Sequence, residues 1–235
     1  MRVRVELTPS APEVAPPGWP RDPRHWTGVA IDVLRTSTTL AFALRNGAAR
    51  VVPASTIEEA LALRSLTRDA LLCGERDGRR IPGFDLGNSP GEYGENTVRG
   101  RTLVFASTNG SLALRRIARC GSRLPGSFVN GSAVARALSG RPYVLLVCAG
   151  KLGAFALEDA ACAGWLCERL AARGARLEGP GARFVRPLAP RDPREVRALD
   201  QGCAHGRYLR TLGTEYAADL EFCARLDAVP LASEI

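Results

Sequence analysis

GVAIDV (28–33) and YVLLVCAG (143–150) are unbroken apolar runs, each closing on a polar or glycine-containing turn. A strand with one wet face alternates; a continuous run belongs to a strand covered on both faces, as in parallel sheets. Such strands need crossover connections, and the chain supplies them. STTLAFALRNGA (37–48) reads as a helix stopped at Gly47, followed by a short strand, RVVPA (50–54). STIEEALALRSL (55–66) is a second helix, with Ser55 and Glu58 at capping-box spacing. DALLC (69–73) and TLVFA (102–106) read as strands, and RVRVEL (2–7) as an alternating one. TNGSLALRRIARCG (108–121), residues 130–138 and LEDAACAGWLCERLAARG (157–174) read as helical. Strands alternating with helices predict a layered α/β/α-type fold around a mostly parallel or mixed sheet. The length of 235 residues fits one α/β domain over 1–235, with room for a two-lobed organisation. Residues 9–25 read as a proline-rich loop, and an Arg/Pro-rich stretch, RPLAPRDPRE, precedes helical material running to about Arg225. A weak echo of strand, Thr-rich turn, helix and strand links 28–52 with 102–126, and aligns Pro53 with Pro125.

Composition removes several function classes. The 32 basic residues exceed the acidic ones for a net charge of +8, and Lys151 is the only lysine among them. The arginines are scattered singly or in pairs, without interleaved aromatics or a recognisable nucleic-acid-binding motif. A small anionic substrate is therefore expected, and no nucleic acid. No apolar run reaches membrane-span length, and MRVRVELTPS lacks a signal-peptide core, so a cytoplasmic protein without a membrane partner is expected. A homo-oligomer is compatible with these features. Seven cysteines without a C-x-x-C pair, and only two histidines, argue for buried thiols rather than zinc or disulfides.

In open α/β sheets, sites form beyond the carboxyl ends of the strands. Four polar stretches occupy that position: DVLRTSTT (32–39), GERDG (74–78), STNGS (107–111) and CAGKLGAFALED (148–159). Thr36, Ser37 and Thr38, with the backbone after Arg35, make a hydroxyl-rich helix start suited to an anion, and Thr108, Asn109 and Gly110 make a second. Asp32, Glu75, Asp85, Glu158 and Asp159 are hard oxygen donors of the kind Mg²⁺ takes beside a phosphate. Arg35, three residues after Asp32, can add a guanidinium fork. Two tempting motifs fail. Cys73 and Arg79 have C-x5-R spacing, but Glu75 and Asp77 would then repel a phosphate from the cradle. GNSPG (87–91) matches G-x-S-x-G, but Pro90 lacks the N–H that an oxyanion hole needs.

Taken together, IDVLRTSTTL, GERDGRRIPGFDLGNSP, STNGS and CAGKLGAFALEDAACAG resemble the 2-phosphosulfolactate phosphatase family, with a weaker match in HGRYLRTLG and DLEFCARLDAVP. The resemblance makes the expected small anionic substrate a phosphorylated one, and implies a magnesium-dependent acid phosphatase that cleaves the phosphate ester of 2-phospho-3-sulfolactate, on the way to coenzyme M in methanogens. It implies that the irregular segment 74–93 is an active-site loop, with Glu75 and Asp85 near metal and Arg76 near an anionic group, and it adds Asn88 and Ser89 as substrate contacts. Asp32, Arg35, Glu75 and Asp159 are the candidate catalytic residues. Attack by water and attack by Asp32 are both open. Two other readings stand beside this one: a non-catalytic anion- or nucleic-acid-binding protein, and a lyase or mutase of phosphorylated hydroxy acids.

Overall fold

The strands divide between two sheets, so the predicted layered α/β architecture has two β layers rather than one. The computed structural model describes residues 1–9 and 15–235; residues 10–14 of the expected 9–25 loop lie outside the described residues. The strands are β1 (Arg2–Glu6), β2 (Thr27–Ile31), β3 (Arg50–Ala54), β4 (Leu71–Arg76), β5 (Arg79–Arg80), β6 (Thr102–Ala106), β7 (Ser122–Gly126), β8 (Tyr143–Cys148) and β9 (Arg176–Glu178). The helices are α1 (Thr36–Arg45), α2 (Ile57–Leu66), α3 (Glu95–Val98), α4 (Gly110–Arg116), α5 (Gly131–Ala137), α6 (Leu157–Ala171), α7 (Gly179–Val185), α8 (Pro193–Gly202), α9 (Ala204–Leu212) and α10 (Thr214–Cys223).

The first sheet has the order β7-β2-β8-β1-β9 and is parallel throughout. The second has the order β3-β6-β4-β5, with only β5 antiparallel, in a hairpin with β4. The second sheet is formed by one continuous stretch, 50–106, inserted between β2 and β7 of the first. The chain enters that stretch through α1 and leaves it through α4. These are the two units of the sequence echo, and they cross between the sheets in opposite directions. Each ends in a strand containing proline, Pro53 in β3 and Pro125 in β7, and both strands lie at sheet edges. An edge tolerates the missing N–H.

The apolar runs are covered on both faces, as their composition requires. Val29, Ile31, Val144, Leu146 and Cys148 point to a core shared with α5, α6, α7 and the C-terminal helices. Ala30, Leu145 and Val147 point the other way, to a core with Leu40 and Ala43 of α1, Ala113 and Leu114 of α4, and Leu103 and Phe105 of the second sheet. Each valine, leucine or isoleucine among them contributes about 1.5–3 kcal/mol on burial. The outer face of the second sheet, with Leu72, Val104 and Ala106, packs on Ala60 of α2. The α2 cap lies one residue beyond the expected one: the Thr56 hydroxyl accepts the Glu59 N–H at 3.1 Å, and the Glu59 carboxylate reaches back to the Ser55 N–H at 2.7 Å. Among the described residues, no helix is long and apolar enough to cross a membrane.

Candidate active site

The four polar stretches meet. Two follow strands of the first sheet (β2 and β8) and two follow strands of the second (β4 and β6), and together they surround a cavity of about 320 Å³. Asp32, Arg35, Glu75, Asn88, Thr108 and Asn109 line it, with Lys151 on the turn after β8 and His205 and Tyr208 from α9.

Asp32 directly follows β2 and is 6% exposed. Burial pushes its carboxyl up to about 6; His205 and the Thr36 hydroxyl oppose that rise, and the Glu75 and Glu158 charges add to it. The floor beneath it is the start of α4. A Cβ on Gly110 would lie 2.3 Å from the Thr36 hydroxyl and 2.5 Å from Asp32 Oδ2, so only glycine lets the two helix starts approach this closely. The hydroxyls that resembled an anion cradle are occupied in building this junction. Ser37 Oγ accepts the Asp32 N–H at 2.6 Å, Thr38 Oγ1 donates to the Val33 carbonyl at 2.8 Å, and Thr36 Oγ1 donates to Ser107 Oγ at 3.2 Å. Thr36, Ser37 and Thr38 are buried behind the wall and do not line the cavity.

Arg35 is a buried clamp. Its guanidinium donates to Asp219 Oδ2 on α10 and to the Gly78 carbonyl in the β4–β5 hairpin, both at 2.5 Å, and it lies 5.3 Å from the Tyr216 ring centroid. Ser89 does not line the cavity; its hydroxyl donates to Asp219 Oδ1 at 2.5 Å and completes this network. Arg35 thus joins the β2 loop, the hairpin of the second sheet and the C-terminal helices.

Glu75 is fixed by three donors: the Thr108 N–H (2.7 Å), the Gly78 N–H (2.7 Å) and, more distantly, the Thr108 hydroxyl (3.3 Å). Asp159 binds two strand ends together, its oxygens accepting the Val33 N–H at 2.9 Å and the Gly150 N–H at 3.0 Å. Burial first, then the Asp32 charge, pushes its carboxyl well up despite those donors. Burial also works against ionisation of Glu158, but His205, whose Nδ1 lies 3.3 Å from Glu158 Oε1, overcomes it and holds the carboxyl below its usual range. Glu158 faces a neighbouring cleft that shares Lys151 and His205 with the main cavity. Two expected residues are not brought in. Asp85 lies on the second sheet's flank, accepting the Leu72 N–H at 2.8 Å and an Arg64 N–H at 3.0 Å. Arg76 turns back to the Glu75 and Ser55 carbonyls. Cys73 is fully buried and burial pushes its thiol up to about 12, which removes the thiolate a C-x5-R nucleophile would need.

Sequence reasoning passed over Lys151, Asp219, His205 and Tyr208. The last three lie in the weaker C-terminal match. Lys151 and His205 were visible as rarities, a sole lysine and one of two histidines.

Among the described residues, no three His, Cys, Asp or Glu side chains are grouped to hold a metal ion by themselves. The cavity nevertheless has the donors that magnesium uses beside a phosphate, one or two protein oxygens with water and phosphoryl oxygens completing the shell. Asp32 is a buried carboxylate, and Asn88 Oδ1 is a buried acceptor without a hydrogen-bond partner. Such an orphaned acceptor in a polar cavity fits a cation that completes it.

Residues 16–234 match the family model described as 2-phosphosulpholactate phosphatase. A probable 2-phosphosulfolactate phosphatase of Thermotoga petrophila is 41% identical over 201 residues, covering 86% of this chain and 85% of that one. One from Deinococcus radiodurans is 38% identical over 231 residues, covering 96% and 90%. One from Clostridium acetobutylicum is 35% identical over 213 residues, covering 90% of each. With the family match spanning nearly the whole chain and relatives this similar over at least 85% of each chain, the chain belongs to the 2-phosphosulpholactate phosphatase family.

Proposed function

We propose that the protein is a magnesium-dependent phosphatase that hydrolyses the phosphate ester of 2-phospho-3-sulfolactate to the hydroxy acid and free phosphate. The observation that carries this reading is the pairing of Asp32 with the unpartnered Asn88 Oδ1 in a cavity that also presents Lys151 and His205. Acidic donors for a cation and basic groups for an anion in one space suit a metal-bound phosphate ester better than either ligand alone.

Asp32 and Asn88 would hold the ion, with Glu75 close by. When bound, it would neutralise charge on the phosphoryl oxygens and polarise the phosphorus towards attack. The chain's own groups do the rest. Arg35 holds the hairpin carrying Glu75 against the loop carrying Asp32, and so fixes the distance between the two acidic walls. Glu158 orients His205 through Nδ1, which lets Nε2 present a proton to the leaving alkoxide of the substrate. Asp159 is a positioning residue, since both of its oxygens are engaged by backbone. The seven cysteines are all free, which suits the reducing cytoplasm.

The test is release of inorganic phosphate from 2-phospho-3-sulfolactate by the purified protein. Phosphate release that stops with EDTA and returns with Mg²⁺ is the expected result. Equal turnover after exhaustive chelation would end the metal assignment, and conversion of the substrate without phosphate release would favour a lyase or mutase.

A further inference from the structure

Lys151 is the sole lysine among 32 basic residues, and it lies in the cavity wall. Resting on the reading above, we propose that Lys151, held over the Tyr208 ring, is the subsite for the substrate's sulfonate group.

Three basic side chains border the cavity, and two are committed. Arg35 is spent on Asp219 and the Gly78 carbonyl, and His205 faces Glu158. Lys151 forms no ion pair among the described residues; its Nζ lies 4.0 Å from the Tyr208 ring centroid. An aromatic face holds a cation in place without neutralising it, so the charge stays available to a ligand. The Tyr208 hydroxyl donates to the Asp77 carbonyl at 3.0 Å, which anchors the ring to the β4–β5 hairpin.

The backbone beneath Lys151 is fixed on three sides. Lys151 and Ala154 bond each other's N–H and carbonyl at 2.9 and 3.0 Å, and the Leu152 N–H donates to Asn109 Oδ1 at 2.8 Å. Gly150, at φ 66°, could not carry a side chain, because a Cβ there would lie 2.2 Å from the Ala154 carbonyl oxygen. The Asp159 carboxylate that accepts the Gly150 N–H also accepts the Val33 N–H, next to Asp32. One carboxylate therefore sets the turn bearing the ammonium against the loop bearing the phosphoryl-side acid. The choice of ion fits the group. An ammonium is a compact point charge with three rotatable donors, which suits a tetrahedral group with three equivalent oxygens. A guanidinium fork matches a planar carboxylate better, and this arginine-rich chain does not use one here.

The experiment compares wild type with Lys151→Met in two assays, with circular dichroism confirming that the variant is folded. In the first, kcat/KM is measured for 2-phospho-3-sulfolactate and for 2-phospholactate, which lacks the sulfonate. The ratio of the two should fall at least tenfold in Lys151→Met. An unchanged ratio, whatever the absolute loss, would overturn the proposal, because Lys151 would then serve the phosphoryl or carboxylate end. The second assay is calorimetric titration with 3-sulfolactate, which has no phosphoryl group. Lys151→Met should weaken binding at least tenfold, and equal binding, or no binding by wild type, would overturn the proposal. If wild type releases phosphate from neither ester, the phosphatase reading falls, while the titration still decides the subsite.

Discussion

Replacing Arg35 by methionine removes one half of an ion pair in which both side chains are almost dry, 2% exposed for Arg35 and 3% for Asp219. The variant leaves the Asp219 carboxylate buried with, among the described residues, only the Ser89 hydroxyl as a donor, and it leaves the Gly78 carbonyl without its guanidinium partner. Breaking a buried pair from one side costs about 3–5 kcal/mol, because the remaining charge has lost both water and counterion. For a chain of this size each kcal/mol moves the midpoint by about 2–4 °C, so Arg35→Met should lower Tm by at least about 6 °C. The Arg35→Met, Asp219→Leu double variant removes both charges and should recover to within about 1–2 kcal/mol of wild type, since an apolar pair of similar volume can replace a buried ion pair. Urea unfolding of the four proteins in a double-mutant cycle measures this, and a coupling energy of about 2 kcal/mol or more is expected. The double variant should remain a poor enzyme, because the hairpin carrying Glu75 is no longer held. A loss below about 1 kcal/mol for Arg35→Met, the range of an exposed ion pair, would refute the reasoning. So would a double variant whose loss equals the sum of the two single losses.

Burial holds the Asp32 carboxyl near 6 in the fold against 3.8 ordinarily. Between those values the folded state carries the extra proton, so in protein freed of divalent metal, stability should fall as pH rises from about 4 to about 6. Asp32→Asn should make that slope shallower, add up to about 3 kcal/mol to stability at pH 7 and remove activity; denaturant melts across pH check it, and a slope unchanged by the substitution would place its origin in other buried carboxyls such as Asp159. Gly110→Ala drives a methyl into Thr36 and Asp32, and should cost at least about tenfold in kcat, equivalent to about 1.4 kcal/mol, in a protein that still folds; wild-type kinetics would show that the two helix starts can separate freely. Cys73→Ser should keep most of its activity because its thiol is buried and protonated, and a loss of orders of magnitude in folded protein would make it a nucleophile after all.

What could be read in the sequence was whatever repeats with a period or ends a strand. GVAIDV and YVLLVCAG are strands because both of their faces are apolar, and the polar groups just beyond them had to gather where strands end. Asp32, Glu75 and Asn109 were visible for that reason. The division into two sheets was not, because a strand-helix-strand unit looks the same in sequence whether the second strand joins the first one's sheet or another. The side chains that line the cavity could not be told from those that hold its wall together. Ser37 and Asp159 have the right chemistry for the site, yet their oxygens are taken by the backbone groups of Asp32, Val33 and Gly150. Asp85 sits in the most distinctive segment of the chain but caps a strand start instead. Asp219, His205 and Tyr208 come from helices that show a polar face and nothing more, so only their meeting in space marks them.

The reciprocal crossing of α1 and α4 has a consequence for how the protein comes into being. Residues 50–106 form a sheet of their own, but the inner face of that sheet is covered by helices whose other sides belong to β2 and β8. Neither sheet can bury the face it turns toward the other until the two have docked, and β7 lies beyond the whole inserted segment from its partner β2. Pairing between strands so distant along the chain closes long loops before it gains contacts, which makes it slow. Asp32 meets Gly110, and Arg35 meets Gly78, only across that docked junction. The cavity therefore exists only once the two sheets have docked, and a chain whose helices and strands are formed but undocked has no active site.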